Sequence, residues 1–185
     1  MQRELDGSDE RRLRLVTGHG YVDGQLRANA GVSTLHYLNV SAATQAFVVV
    51  QPPIQTHPEW GIESGELALS VSSILFVQEL SKFVPVPGDR QAAAQFRRSP
   101  VRLNVGDYSV EGFVHLPPGG DAFSRLNNDR HPFFALSSAS ILGPDTQFSA
   151  AFLAVKRDKV LALQSVADEM LTGDQFRAEE TSAVS

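Results

Sequence analysis

The chain has 185 residues, of which 42% are hydrophobic and 20% charged, an ordinary composition for a folded protein with a buried core. Its formal net charge of −5 lacks the positive field that attracts phosphate backbones, so nucleic acid is an unfavourable partner. The chain contains no cysteine, which excludes disulfides, thiolate metal sites and a cysteine nucleophile.

The start of the chain is charged and has no apolar stretch of the kind found in secretory signals. No apolar run approaches the length of about 18 residues that is typical of a membrane helix. We therefore expect a cytoplasmic protein without a membrane partner. Residues 1–10 and 166–185 are polar and are expected to form disordered tails.

Residues 13–39 match residues 101–127 without a gap, and eight of the 27 positions are identical. In every pair the second residue lies 88 positions after the first. The identical pairs are Arg14 and Arg102, Leu15 and Leu103, Gly18 and Gly106, Val22 and Val110, Gly24 and Gly112, Gly31 and Gly119, Leu38 and Leu126, and Asn39 and Asn127. The match predicts an internal duplication.

Each repeat begins with two short runs that alternate apolar and polar residues and predict a β-hairpin. Gly18 and Gly106 lie between these runs and are expected in the hairpin turns. Gly31 and Gly119 follow the second run and predict a loop. The same structural interpretation applies to Gly24 and Gly112, because the repeat keeps them too.

A leucine or phenylalanine recurs at a three-residue spacing before each asparagine, which predicts one helical turn ending at Asn39 and one ending at Asn127. An asparagine at a helix end is typically a cap whose amide bonds the local backbone. A binding role for both asparagines is the alternative.

Further strands are predicted after each helical turn, because short apolar runs follow it. They are expected at Phe47–Val50, Glu66–Val77, Phe133–Leu136, Phe148–Val155 and Val160–Leu163. A proline-rich insertion, residues 52–64, interrupts the first repeat and carries Trp60, the chain's one tryptophan.

These elements predict an all-β protein of two tandem small β-barrel units, Sm-like or SH3-like, each with a short helical turn. The first unit is expected at residues 11–80 and the second at residues 99–165, joined by a linker at residues 81–98. A four-stranded sandwich half is the competing architecture for one unit. The pattern leaves open whether the repeats form two barrels or one fused sheet. Units this small bury a limited core, so self-association is expected.

The pattern of an apolar residue, Gly24 and a second apolar residue, followed by Leu38-Asn39, is similar to the first motif of the Sm-like small barrels. The second repeat has the same pattern at Gly112 and Leu126-Asn127. That resemblance implies an asparagine loop that binds RNA bases in a ring of subunits. The chain also resembles a bacterial family of uncharacterised small domains, which implies a small barrel and no known activity.

A second resemblance involves Arg98 and Arg102, followed by Asp107, Ser109 and Gly112. This order is similar to the signature of PilZ domains, β-barrels that bind cyclic di-GMP. Arginine forks suit phosphate and guanine recognition, so the resemblance implies a cyclic dinucleotide site. The two arginines also belong to a basic cluster that could bind an acidic protein partner.

No metal site or catalytic motif is predicted. The five histidines do not fall at metal-ligand spacings, and no nucleophile elbow, phosphate loop or metalloprotease helix motif is present. We therefore predict a non-enzymatic, cofactor-free binding or scaffolding module of a bacterial cytoplasm, with a protein partner or a second copy of itself. The candidate contact residues are Asn39, Asn127, Trp60, Arg98 and Arg102.

Overall fold

The computed structural model describes residues 8–29, 32–56, 65–81, 96–144 and 146–166. Gly31, Trp60, most of the predicted linker 81–98, the tail segment 1–7 and residues 167–185 lie outside the described residues. None of the helices in the described ranges is long and apolar enough to cross a membrane.

The described part of the chain contains ten strands and two α-helices. In the first half these are β1 (Ser8–Thr17), β2 (Gly20–Asn29), α1 (Thr34–Thr44), β3 (Phe47–Thr56), β4 (Leu67–Ser70) and β5 (Ile74–Glu79). In the second half they are β6 (Arg97–Val105), β7 (Tyr108–Leu116), α2 (Ala122–Asn128), β8 (Phe133–Leu142), β9 (Gln147–Lys156) and β10 (Val160–Ser165). The second half thus repeats the order of elements of the first.

All ten strands belong to one antiparallel sheet with the order β10-β6-β7-β8-β9-β5-β1-β2-β3-β4. The predicted all-β class is confirmed. Each half contributes five neighbouring strands, and in each half the fifth strand lies beside the first. The halves meet where β5 pairs with β9, and β4 and β10 are left as the two edges of the sheet.

The hairpins that open each half have matching registers. Leu13 lies opposite Gly24 in the first half, just as Val101 lies opposite Gly112 in the second. Each hairpin closes with a two-residue turn, Gly18-His19 or Gly106-Asp107. Gly106 has a left-handed φ of 57°, whereas in the first turn the positive φ, 134°, falls on Gly20 and not on Gly18. The turns are therefore in the predicted places, with different backbone conformations.

Gly112 lies in β7 where the neighbouring strand is irregular. A Cβ at this position would be 3.3 Å from the carbonyl oxygen of Ser137 and 3.3 Å from the Cα of Ala139. Ser138, between them, has a left-handed φ of 48°. A side chain at this position would therefore be tightly packed, and β8 would have to shift slightly to accommodate it.

The helices and the late strands of the first half differ from expectation. One strand was predicted over Glu66–Val77, but a 3₁₀ turn at Val71–Ser73 separates β4 from β5. The hydroxyl of Ser73 stabilises this turn by donating to the carbonyl of Ser70 at 2.8 Å. The predicted single helical turn is an 11-residue helix, α1, which continues past Asn39 to Thr44. β1 also begins at Ser8, within the segment predicted as a tail.

Buried apolar side chains form two clusters, one under each half. Each cluster takes side chains from the other half at the junction. The first-half cluster includes Phe133 and Ala154, and the second-half cluster includes Val16, Leu75 and Phe76. The two halves therefore share their cores, and separating them would expose both.

Candidate functional site

Asn39 lies in the middle of α1, so the expectation that it caps a helix end is wrong. Its amide instead bonds a residue that is 94 positions away in sequence. The Nδ2 group donates to the carbonyl oxygen of Phe133 at 3.1 Å, and the N–H of Phe133 donates to Oδ1 at 2.8 Å. Because this pair of bonds copies the pairing of a β-ladder, Asn39 extends the contact between the halves beyond β5 and β9.

Phe133 itself is only 1% exposed and packs into the core cluster of the first half. Its neighbours in that cluster include Leu38 of α1 and Val77 of β5. The second half therefore inserts an aromatic side chain into the first, while Asn39 holds the backbone of the same residue.

A groove of about 290 Å³ runs along this junction. His36 and Asn39 of α1 and the N-cap residue Ser33 line it from the first half, and His115 and His131 line it from the second half. Its walls thus supply hydrogen-bonding side chains from both halves. Among the described residues no group of three or more histidines, aspartates or glutamates is placed to hold a metal ion.

His115 lies on β7 and hydrogen-bonds the hydroxyl of Ser137 through Nε2 at 2.8 Å. Burial lowers the pKa of His115, and the positive charge of Arg98 lowers it further. The imidazole is therefore held in its neutral form, in which one ring nitrogen donates and the other accepts.

Asp129 and Arg157 link the C-terminal end of α2 to the start of β8. Arg157 donates from Nε to the carbonyl of His131 at 3.0 Å and from Nη1 to the carbonyls of Leu126 and Asp129. Burial alone would raise the pKa of Asp129, but hydrogen bonds from the backbone and ring of His131, and the charge of Arg157, lower it. This network fixes the loop that leads into Phe133.

Arg102 is engaged in an ion pair that both halves contain. Its Nε lies 2.7 Å from Oε1 of Glu111 on the neighbouring strand. The equivalent pair in the first half joins Arg14 to both oxygens of Asp23 at 2.7 and 2.8 Å. The repeated arginine therefore has a cross-strand partner in each half.

Arg98 lies on the same strand as Arg102, near the outer edge of the second half. Its guanidinium stacks over the ring of Phe113 at 4.2 Å and donates to the hydroxyl of Ser138 at 3.2 Å. The side chain is thus held by an aromatic face and a hydroxyl, while it remains exposed to solvent.

Asn127 lies near the C-terminal end of α2, beside the edge strand β10. It is exposed and lines a groove of about 460 Å³ between α2 and the edge strand β10. The apolar lining of that groove includes Phe123, Leu126 and Leu163. The two asparagines of the repeat therefore have different surroundings, one bonded within the chain and the other open to solvent.

The two edges of the sheet are the feature that sequence patterns did not identify. Large apolar side chains are exposed beside each of them: Phe47 and Val49 on β3, next to β4, and Phe123 and Leu161 next to or on β10. Neither β4 nor β10 contains a charged residue or a proline. Charges and prolines are what natural proteins use to block pairing at an edge, and within the described residues neither edge strand carries such a block.

No protein-family model matches the chain, and no curated protein matches it.

Proposed function

We propose that this protein is a non-catalytic scaffold that associates with itself head to tail, β10 of one copy pairing with β4 of the next. The observation that supports it is the junction inside the chain, where the fifth strand of one half pairs with the fourth strand of the other. The strands left at the two edges are again a fourth strand, β4, and a fifth strand, β10. The contact made once within the chain can therefore be repeated between chains.

Such an interface would be heterologous, because each copy contributes a different surface. Heterologous contacts build a ring if the rotation between copies closes and a filament if it does not. The uncharged edge strands and the exposed apolar side chains beside them favour this partner over an acidic or nucleic-acid one.

The register of the proposed contact follows from the internal junction, where Phe76, Val77 and Gln78 lie opposite Val155, Ala154 and Leu153. In the late strands, equivalent positions are 86 residues apart: Phe47 lies opposite Ser70 just as Phe133 lies opposite Lys156. The pairing of β5 with β1 likewise corresponds to that of β10 with β6, with an offset of 86 residues for β5 and 88 for β1. Between copies we therefore expect Ala162 opposite Leu69, Leu163 opposite Ala68, and Gln164 opposite Leu67.

Cross-linking tests this register without background, because the chain contains no cysteine. One preparation carries Leu67→Cys, another carries Gln164→Cys, and the two are mixed and oxidised. Directly opposed residues are close enough for a disulfide, so we expect a covalent dimer in the mixture and none in either preparation alone. Replacing the second chain with Ser165→Cys shifts the register by one residue and should abolish the product. Equal yields from the two mixtures would contradict the proposal.

The insertion of a charge into β4 is a second test of the same interface. Ala68 is exposed on β4, whereas its counterpart at the junction, Ala154, is fully buried. Ala68→Lys should leave the folding stability of the monomer within about 0.5 kcal/mol and abolish assembly, since it would bury an unpaired charge between copies. Ala151→Lys, at an exposed alanine of β9, is the matched control. Sedimentation over a range of concentrations gives the readout.

We further propose that the halves are duplicated small-barrel units of Sm-like pattern, since their element order and strand registers correspond. Two binding assays separate the scaffold from the functions that the sequence resemblances imply. Salt-sensitive retention of RNA would favour the Sm-like alternative, and micromolar binding of cyclic di-GMP that Arg98→Ala abolishes would favour the PilZ-like one. The scaffold proposal expects neither.

A further inference from the structure

Among the described residues, the contact between Asn39 and Phe133 has no equivalent at the ends of the sheet. Asn127 is the equivalent of Asn39, and Phe47, the first residue of β3, is the equivalent of Phe133, the first residue of β8. Phe133 is 1% exposed, whereas Phe47 is 54% exposed. The same aromatic side chain is therefore buried where the halves meet and open to solvent where the sheet ends.

The groove beside β10 is lined by the second-half equivalents of residues that contact Phe133 or share its cluster at the junction. Phe133 shares its cluster with Leu35, Leu38 and Val77, and Asn39 bonds its backbone. The equivalent positions in the second half are Phe123, Leu126, Leu163 and Asn127, and these four line the groove of about 460 Å³. The groove thus corresponds to the Phe133 site without its phenylalanine.

A second contact points to the same arrangement. Leu75 of β5 is 7% exposed and packs against the hairpin turn of the second half, where a Cβ on Gly106 would lie 3.1 Å from its Cδ1. Its counterpart Leu161 is 74% exposed. The counterpart turn at Gly18 has open space at the same position. Within the described residues, Leu161 and the Gly18 turn therefore lack the contact that Leu75 makes with the Gly106 turn.

We propose that Phe47 of one copy inserts into the groove between α2 and β10 of the next copy, where the Asn127 amide bonds its backbone. Leu161 of that next copy packs reciprocally on the Gly18 turn. This inference rests on the proposed head-to-tail association and assigns its specificity-determining residues: an aromatic anchor on one surface and an amide clamp on the other. Its occupant is a second copy of the chain, because the internal junction is built in this way.

Sedimentation equilibrium of the full chain over a wide concentration range tests the assignment. Phe47→Ala should weaken association by at least about 30-fold, as expected for an aromatic anchor. Asn127→Ala should weaken it by about 10-fold through the loss of the two backbone bonds. The controls are Leu142→Ala, at an exposed leucine away from both ends, and Asn128→Ala, at the exposed neighbour of Asn127. Both controls should associate like the unmodified chain.

The outcomes distinguish the two proposals. If the chain assembles and both test variants behave like their controls, this inference is overturned while the head-to-tail proposal stands. If the chain stays monomeric at every concentration, both are overturned.

Discussion

Equivalent residues have different surroundings at the junction of the halves and at the free ends of the sheet. At the junction, Phe133 is buried and Asn39 bonds its backbone. At the ends, Phe47 and Asn127 are both exposed. Neither half buries its own phenylalanine at this position, and this difference is what the proposed contact between copies explains. Variants at paired positions can therefore separate what stabilises the fold from what is available for assembly.

The largest difference is expected for the two phenylalanines. Phe133→Ala removes a side chain that fills the first-half core, so it should lower the free energy of unfolding by about 3 to 5 kcal/mol. Phe47→Ala in the dilute monomer should lower it by less than about 1 kcal/mol, because the side chain is already more than half exposed. Urea unfolding at low protein concentration measures both. Similar losses for the two variants would remove the distinction between junction and end.

The repeated ion pair gives a smaller contrast. Asp23 is buried and holds Arg14 through two short hydrogen bonds, which raise the pKa of that arginine. Asp23→Asn leaves a partly buried arginine charge unpaired and should cost about 2 to 3 kcal/mol. Glu111→Gln removes the exposed pair with Arg102 and should cost less than about 1 kcal/mol. Thermal unfolding of both isosteric variants checks the order, and a larger loss for Glu111→Gln would contradict it.

The asparagines come next. Asn39→Ala leaves the N–H and carbonyl of Phe133 without their partner, and we expect a loss of about 1 to 2 kcal/mol. Asn127 is exposed and has no such partner among the described residues, so Asn127→Ala should change the stability of the dilute monomer by less than about 0.5 kcal/mol. Hydrogen exchange of the Phe133 amide offers a local readout, since it should accelerate in the first variant alone.

Sequence patterns predicted the local part of this fold well. The alternating runs and the glycines at an offset of 88 located the opening hairpins, because a period of two and a turn residue are properties of short segments. The pairing of β5 with β9 could not be predicted in this way. β5 carries only the apolar character of a buried strand, and nothing in it identifies a partner about 75 residues away in sequence.

The candidate site shows the same limit. The repeat identified Asn39 and Asn127 as equivalent, and this equivalence led to the unfilled groove beside β10. It did not identify the partner of Asn39, because that contact depends on the junction of the two halves. The apolar residue at the start of β3 is visible in the sequence, but its exposure beside the edge strand β4 is not.

The smallest contrast concerns pH, because the position equivalent to His115 in the first half is an arginine, Arg27. The folded protein holds the pKa of His115 below its usual value of 6.5, so the unfolded chain takes up a proton first as the pH falls. The stabilisation from the neutral imidazole is therefore complete above pH 6.5 and is lost as the pH drops through the folded-state pKa. The urea midpoint of unfolding should fall when the pH is lowered from 7 to 5. This fall should be smaller for His115→Gln than for the unmodified chain or for His36→Gln, at an exposed position on α1. An equal fall in all three would place the acid sensitivity elsewhere in the protein.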